Sequence, residues 1–238
     1  MSDNQIVLRA ESLAKQFGTL TALRSASLKL ARGEFVTIFG RNGAGKTTFL
    51  KIVAGLIRSY RGSVHLFDED CRSAGDLLRR RFGFVSHESL LYQDLTVRDN
   101  LLFYGKMYGV NEIRSSVERT ITEMGLEAKA SSLVRELSRG MRQRLSLGRA
   151  FLHDPHILLL DEPFTGLDDR AAAILDGKLT RFKDAGRSVI MATHNAERGW
   201  KHADSVAVLD RGIIVYNSAV KDTTFEKFRA EYLQILSR

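Results

Sequence analysis

Glu34-Phe35-Val36-Thr37-Ile38-Phe39 runs directly into Gly40-Arg41-Asn42-Gly43-Ala44-Gly45-Lys46-Thr47-Thr48. The first six residues read as a buried strand, and a helical pattern extends from Lys46 to about Ile57. The stretch between them fits Gly-x-x-x-x-Gly-Lys-[Ser/Thr], in the strand–loop–helix context that this pattern requires. Its glycines let backbone N–H groups close around a phosphate, and the following helix N-terminus adds positive potential. Lys46 can reach β and γ phosphates, and the Thr47 hydroxyl can ligate Mg²⁺. The expected ligand is a nucleoside polyphosphate, held at one edge of an α/β core.

Outward from this loop, Ile157–Leu160, Ser188–Met191 and Val206–Leu209 read as further strands, with a helix near Ala171–Asp184. Such alternation predicts a mostly parallel sheet covered by helices. From about Glu88 to Leu152 the pattern is helical instead. Thr96 can cap the helix that opens Val97-Arg98-Asp99, Gly109 and Asn111 punctuate, and a second helix reaches Met124. We read 88–152 as a helical subdomain inserted into a core formed by 1–87 and 153–238. No internal repeat or biased linker interrupts the chain.

Composition bounds the function classes. The chain has 238 residues, 44% hydrophobic and 27% charged, which excludes a disordered or low-complexity protein. The formal net charge of +8 favours anionic partners. Basic residues concentrate at Arg79-Arg80-Arg81 and along Arg135, Arg139, Arg142, Arg144 and Arg149. The single cysteine, Cys71, cannot form an internal disulfide, so a reducing compartment is expected. The polar start carries no secretory pattern, and no apolar run approaches the ~20 residues that cross a bilayer.

Two more stretches carry chemistry. Leu158-Leu159-Leu160 ends in Asp161-Glu162, which puts two carboxylates at the sheet's carboxyl edge beside the phosphate loop. There Asp161 is the candidate ligand for Mg²⁺, and Glu162 the group that orients or deprotonates the attacking water. His194 follows the strand in Met191-Ala192-Thr193-His194-Asn195, where it can donate to a γ phosphate.

Together with these motifs, Leu137-Ser138-Arg139-Gly140-Met141, Thr165-Gly166-Leu167-Asp168 and the upstream Phe17 make the chain resemble the ATP-binding subunit of ABC transporters over nearly its whole length. The resemblance implies an N-terminal antiparallel β subdomain beside the P-loop NTPase core. It implies ATP and Mg²⁺ as cofactors, and nucleotide contacts from Gly40 through Thr48 (Gly40, Arg41, Asn42, Gly43, Ala44, Gly45, Lys46, Thr47, Thr48). Phe17 is expected to stack on adenine, Ser138 and Gly140 to face the γ phosphate of a partner subunit's nucleotide, and Asp168 to lie in the D-loop. Lys46, Glu162 and His194 are the implied catalytic residues, with Thr47 and Asp161 as the metal ligands. Two departures stand out. The family's LSGGQ signature here has Arg139 and Met141 in place of a glycine and the glutamine, and His87 stands where the Q-loop glutamine is expected, after Phe82-Gly83-Phe84-Val85.

The runs Phe84–Thr96, Asn100–Tyr104, Leu137–Arg144 and Leu160–Asp168 look like the haem exporter ATPase branch of cytochrome c maturation, the CcmA type. The implied partners are integral membrane transporter subunits and a second nucleotide-binding subunit, met in an ATP-dependent dimer. The implied place is cytoplasmic, on the inner face of the membrane. ATPases of other exporters (drug, lipid or polysaccharide) and a soluble ABC ATPase of iron–sulfur cluster assembly share the same engine. No nucleic-acid partner is expected, because the long heptad insertions of chromosome-type relatives and the paired engines of translation-type relatives are both missing.

Overall fold

In the computed structural model, which describes residues 5–73, 80–86 and 88–237, the central strands are β3 (Phe35–Phe39), β7 (Ile157–Asp161) and β8 (Ser188–Thr193). All three are buried along their length and pair in parallel, β3 with β8 and β8 with β7. Parallel strands covered on both faces need near-continuous apolar runs, which these are. Successive side chains point to opposite faces. Ile157 and Leu159 therefore enter one core with Ile190 and Ala192, while Leu158 and Leu160 enter another with Val189 and Met191.

β6 (Phe82–Val85) and β9 (Ser205–Asp210) extend the parallel set on either side. β1 (Ile6–Phe17), β2 (Leu20–Ala31), β4 (Arg61–Leu66) and β5 (Glu69–Asp70) form an antiparallel arm. β10 (Ile213–Ala219) joins arm to core, running antiparallel to β9 and touching β2 at Ile213–Ser25. The result is one ten-stranded sheet ordered β5-β4-β1-β2-β10-β9-β3-β8-β7-β6.

The phosphate-loop helix α1 is Lys46–Val53, shorter than the periodicity predicts. Gly55 takes φ +70°, and the Leu56 and Ile57 amides fold back onto the Lys51 carbonyl at 2.9 and 3.1 Å, closing the helix before Ile57. In the middle of the chain lie α2 (Val97–Tyr108), α3 (Ile113–Glu123) and α4 (Arg139–Phe151). The Thr96 hydroxyl accepts from the Asp99 amide at 3.0 Å and Ser138 from the Met141 amide at 3.2 Å, as capping chemistry predicts. Leu101, Val117, Ile121 and Leu145 pack into the same core as Leu158 and Leu160. Arg149, almost without exposure, donates to the Phe84 carbonyl at 2.6 Å and fastens α4 to β6.

α5 (Asp169–Asp184) adds Leu175 and Leu179 to the core of Leu158 and Leu160, and α6 (Ala196–Lys201) crosses closely over β3 and β8 at Gly199. The last segment forms a short turn at Val220–Asp222 and then α7 (Phe225–Leu236). α7 buries Phe228 and Tyr232 against Phe39, with ring centroids 4.8 and 5.7 Å apart. Among the described residues, no helix is long and apolar enough to cross a membrane.

His153 marks the seam between α4 and the sheet. Its ring stacks on Tyr108 at 4.0 Å and its Nε2 meets the Phe82 carbonyl at 3.0 Å. Burial pushes its pKa down to about 4, aided by the Arg149 charge and opposed by the Phe82 carbonyl. The unfolded chain then takes up this proton near pH 6.5 while the folded chain resists it. This contribution is intact above pH 6.5 and is lost as pH falls towards 4, at most about 3 kcal/mol. Urea midpoints measured across pH 7 to 4 are expected to fall less steeply for His153→Gln than for the wild type. Parallel curves would remove His153 as the cause.

Candidate active site

The sheet order brings the carboxyl ends of β3, β8 and β7 side by side, and the chemistry-bearing residues leave from those three ends. After β3 the chain turns so tightly that a Cβ at Gly40 would collide with the Leu209 carbonyl oxygen. Gly45, at φ +108°, approaches Ala22 closely enough that a Cβ would strike its carbonyl too. The loop therefore needs glycine at both positions for steric reasons. Inside it, the Lys46 ammonium donates to the carbonyls of Gly40 at 2.7 Å and Arg41 at 3.1 Å. Burial holds Lys46 below the usual lysine range, against the opposing pull of Glu162 and Asp161. A buried cation facing two carboxylates and a ring of amides suits a polyphosphate.

The Thr47 hydroxyl donates to Asp161 Oδ2 at 2.7 Å, joining the loop to the end of β7. Two hard oxygen donors at this spacing suit a small divalent cation that takes its remaining ligands from phosphate and water. Among the described residues, no group of three or more His, Cys, Asp and Glu gathers as a metal site on its own. The pair thus fits Mg²⁺ arriving with a nucleotide.

Glu162 adopts φ +49°, an uncommon conformation for a residue other than glycine, and its amide donates to the Ala192 carbonyl at 2.9 Å. This turns the carboxylate across the end of β8. Oε1 accepts from the His194 amide at 2.9 Å and lies 2.7 Å from His194 Nδ1, while Oε2 accepts from the Thr193 hydroxyl at 2.9 Å. Glu162 and His194, read separately in the sequence, are a contacting pair.

A cavity of about 450 Å³ runs from the phosphate loop to Phe17, lined by Arg41, Asn42, Gly43, Gly45, Lys46, Thr47, Thr48, Asp161 and Glu162. Phe17 lies at its far end, half-exposed, with the Lys15 ammonium 4.8 Å from its ring centroid. Ala44 is buried and its carbonyl accepts from the Gly212 amide, so it shapes the loop from behind. Sequence reading missed Leu20, Thr21 and Ala22, which line the cavity from the second arm of the β1–β2 hairpin. The available signal was the hairpin itself, which makes Phe17 and Leu20 cross-strand partners.

Ser138, Gly140 and Asp168 do not line this cavity. Ser138 caps α4, Gly140 packs against the Gly166 carbonyl, and the Asp168 carboxylate accepts from the Ala171 amide at 2.8 Å to cap α5. Arg139 lies along Gly166 and, with Arg142 and Gln143, shares a second cavity of about 550 Å³ with Asn42, Glu162 and His194. His87, read in the place of the Q-loop glutamine, and Arg79 lie outside the described residues.

Comparison with known proteins agrees with this geometry. Residues 23–165 match the ABC transporter family. A Nod factor export ATP-binding protein I from Bradyrhizobium diazoefficiens is 34% identical over 214 residues, 89% of this chain and 70% of that protein. The ABC transporter ATP-binding protein NatA of Bacillus subtilis is 33% identical over 218 residues, 90% of this chain and 88% of that protein. A solved ATP-binding cassette, a dimer in a post-hydrolysis state bound to ADP and Pi, superposes with a TM-score of 0.82 at 24% identity, covering 90% of this chain and 98% of that one. This chain therefore belongs to the ABC transporter family, as an ATP-binding subunit with ATPase activity.

Proposed function

We propose that this protein powers export by closing, with a second nucleotide-binding subunit, on two ATP·Mg²⁺ and reopening after hydrolysis. The observation that carries this reading is the division of labour around the cavity. Phe17, the phosphate loop, Asp161 and Glu162 line one continuous space, whereas Ser138 and Gly140 begin a helix whose free end lies outside it. A helix N-terminus favours an anion, and this one, set apart from its own chain's phosphate loop, is open to a phosphate brought by the second subunit. In this reading residues 1–87 and 153–238 form the core, and 88–152 form the helical subdomain that carries the signature.

Lys46 and the loop amides bind the β and γ phosphates, and Phe17 stacks on the base. Thr47 and Asp161 hold Mg²⁺, which when bound neutralises charge between those phosphates. Glu162 orients the attacking water and accepts its proton, and His194 donates a hydrogen bond to the γ phosphate. The partner subunit's signature end completes the enclosure.

Work leaves through the helical subdomain. Leu56, Tyr92 and Met107 are half-exposed around a groove of about 460 Å³ whose floor includes Phe84, Tyr104 and Arg149. Exposed apolar surface of this kind suits a docking site for another protein, and we assign it to separate membrane subunits on the cytoplasmic face of the membrane. Export is supported by the Nod factor export relative. Haem is the cargo favoured by the sequence runs Phe84–Thr96 and Leu137–Arg144; another exporter's cargo, or iron–sulfur cluster assembly, are the competing readings.

Glu162→Gln is expected to lower ATP turnover at least a hundredfold while retaining an ATP-bound dimer by size-exclusion chromatography; turnover near the wild-type rate would refute the role of Glu162. For Lys46→Ala, calorimetry is expected to register at least a tenfold loss of ATP affinity, and unchanged affinity would contradict the phosphate-loop assignment. Affinity capture from detergent-solubilised native cells is expected to bring multispanning membrane proteins, haem-handling ones if the cargo is haem. Recovery of soluble assembly factors alone would overturn the transporter reading.

A further inference from the structure

Glu162 has two carboxylate oxygens, and the structure treats them differently. Oε1 faces His194, a residue whose side chain is 59% exposed. Oε2 is held by Thr193, which is only 4% exposed. The Thr193 hydroxyl also accepts from the Asn195 amide at 3.1 Å, which leaves its single proton for Glu162.

The orientation of that hydroxyl is set by packing. α6 crosses so closely over β3 and β8 that a Cβ at Gly199 would strike the Phe39 ring and lie 2.8 Å from Thr193 Cγ2. The Gly199 carbonyl is in turn fixed by the Thr37 hydroxyl at 2.8 Å. Thr193 Cγ2 therefore lies on the α6 side while its hydroxyl faces Glu162, an arrangement kept by the stiff χ1 of a β-branched residue. Glu162 itself stands in a left-handed backbone conformation, at φ +49°, that persists only where its surroundings hold it.

We propose that Thr193 is a positioning residue for ATP hydrolysis: it anchors Oε2 of Glu162 so that Oε1 is the oxygen presented to the attacking water beside His194. The inference rests on the reading of Glu162 as the water-activating carboxylate. Thr193 lies behind Glu162, outside the linings of both cavities, and acts through it. Its anchor is buried, whereas Oε1 is met by the His194 amide at 2.9 Å and by the exposed imidazole, which a γ phosphate can draw away to leave room for water.

The test compares steady-state ATP hydrolysis of the full-length wild type with Thr193→Val, Thr193→Ser and Glu162→Gln, alongside equilibrium ATP binding and thermal unfolding. Thr193→Val preserves shape and removes the hydroxyl; its kcat is expected to fall ten- to a hundredfold, with KM and ATP affinity within about twofold of wild type. Thr193→Ser is expected to recover kcat to within about threefold, which a purely structural role for the methyl group would not allow. If Glu162→Gln abolishes turnover while Thr193→Val hydrolyses ATP at the wild-type rate, the anchoring role is overturned and the Glu162 assignment survives. Turnover retained by Glu162→Gln would overturn the underlying assignment instead. A loss in Thr193→Val that serine does not restore also contradicts the proposal, because it assigns the effect to packing.

Discussion

The hydrogen bond from Thr47 to Asp161, 2.7 Å long, joins the first residues of α1 to the last residue of β7 across the intervening strand β8. It is possible only because β3, β8 and β7 run in parallel and end together, so that one sheet edge receives the phosphate loop, the two carboxylates and His194. Everything else at the site depends on this convergence. Lys46 can be buried because the loop's own carbonyls accept hydrogen bonds from its ammonium. Glu162 can leave the strand in a strained conformation because Ala192, Thr193 and His194 receive it on the neighbouring strand.

The packing behind the edge is equally specific. β7 and β8 send alternate side chains into two cores, one shared with α1 and the antiparallel arm, the other with the helices of the middle segment. α1 and the helical subdomain are thus mounted on opposite faces of the same strands. Arg149, bonded to Phe84, fixes α4 to the neighbouring strand β6. The C-terminal helix adds a third support: Arg41 of the phosphate loop donates to the Leu236 carbonyl at 3.0 Å, and the Tyr232 ring packs 5.7 Å from that of Phe39 at the end of β3.

What the sequence makes legible is what is local. The glycine spacing of 40–47, the apolar run that ends at Asp161, and the caps Thr96 and Ser138 each express their physics within a few residues, and the structure agrees with them. The antiparallel arm is harder to read from residues alone. Along β1 the pairing with β2 shifts register between Ala10 and Leu13 and again around Lys15, so no clean alternation survives. β10 exposes Ile213 and Val215 and owes its place to β9 and to a single pairing with β2. Asp168 is placed in the D-loop by family order, and its carboxylate's role as the cap of α5 is seen only in the structure. Thr193 is invisible for a different reason: its partner is 31 residues away, and only the fold brings Glu162 under its hydroxyl.

The central claim is that the catalytic space is completed by a second copy. The direct measurement places cysteines at Asn42 and Ser138 of a chain that also carries Glu162→Gln and Cys71→Ser, and follows disulfide formation on a non-reducing gel, with and without ATP. The account predicts a covalent dimer that forms only when ATP is present and that neither single-cysteine variant gives. A chain that stays monomeric under both conditions, or that cross-links only within itself, would contradict it.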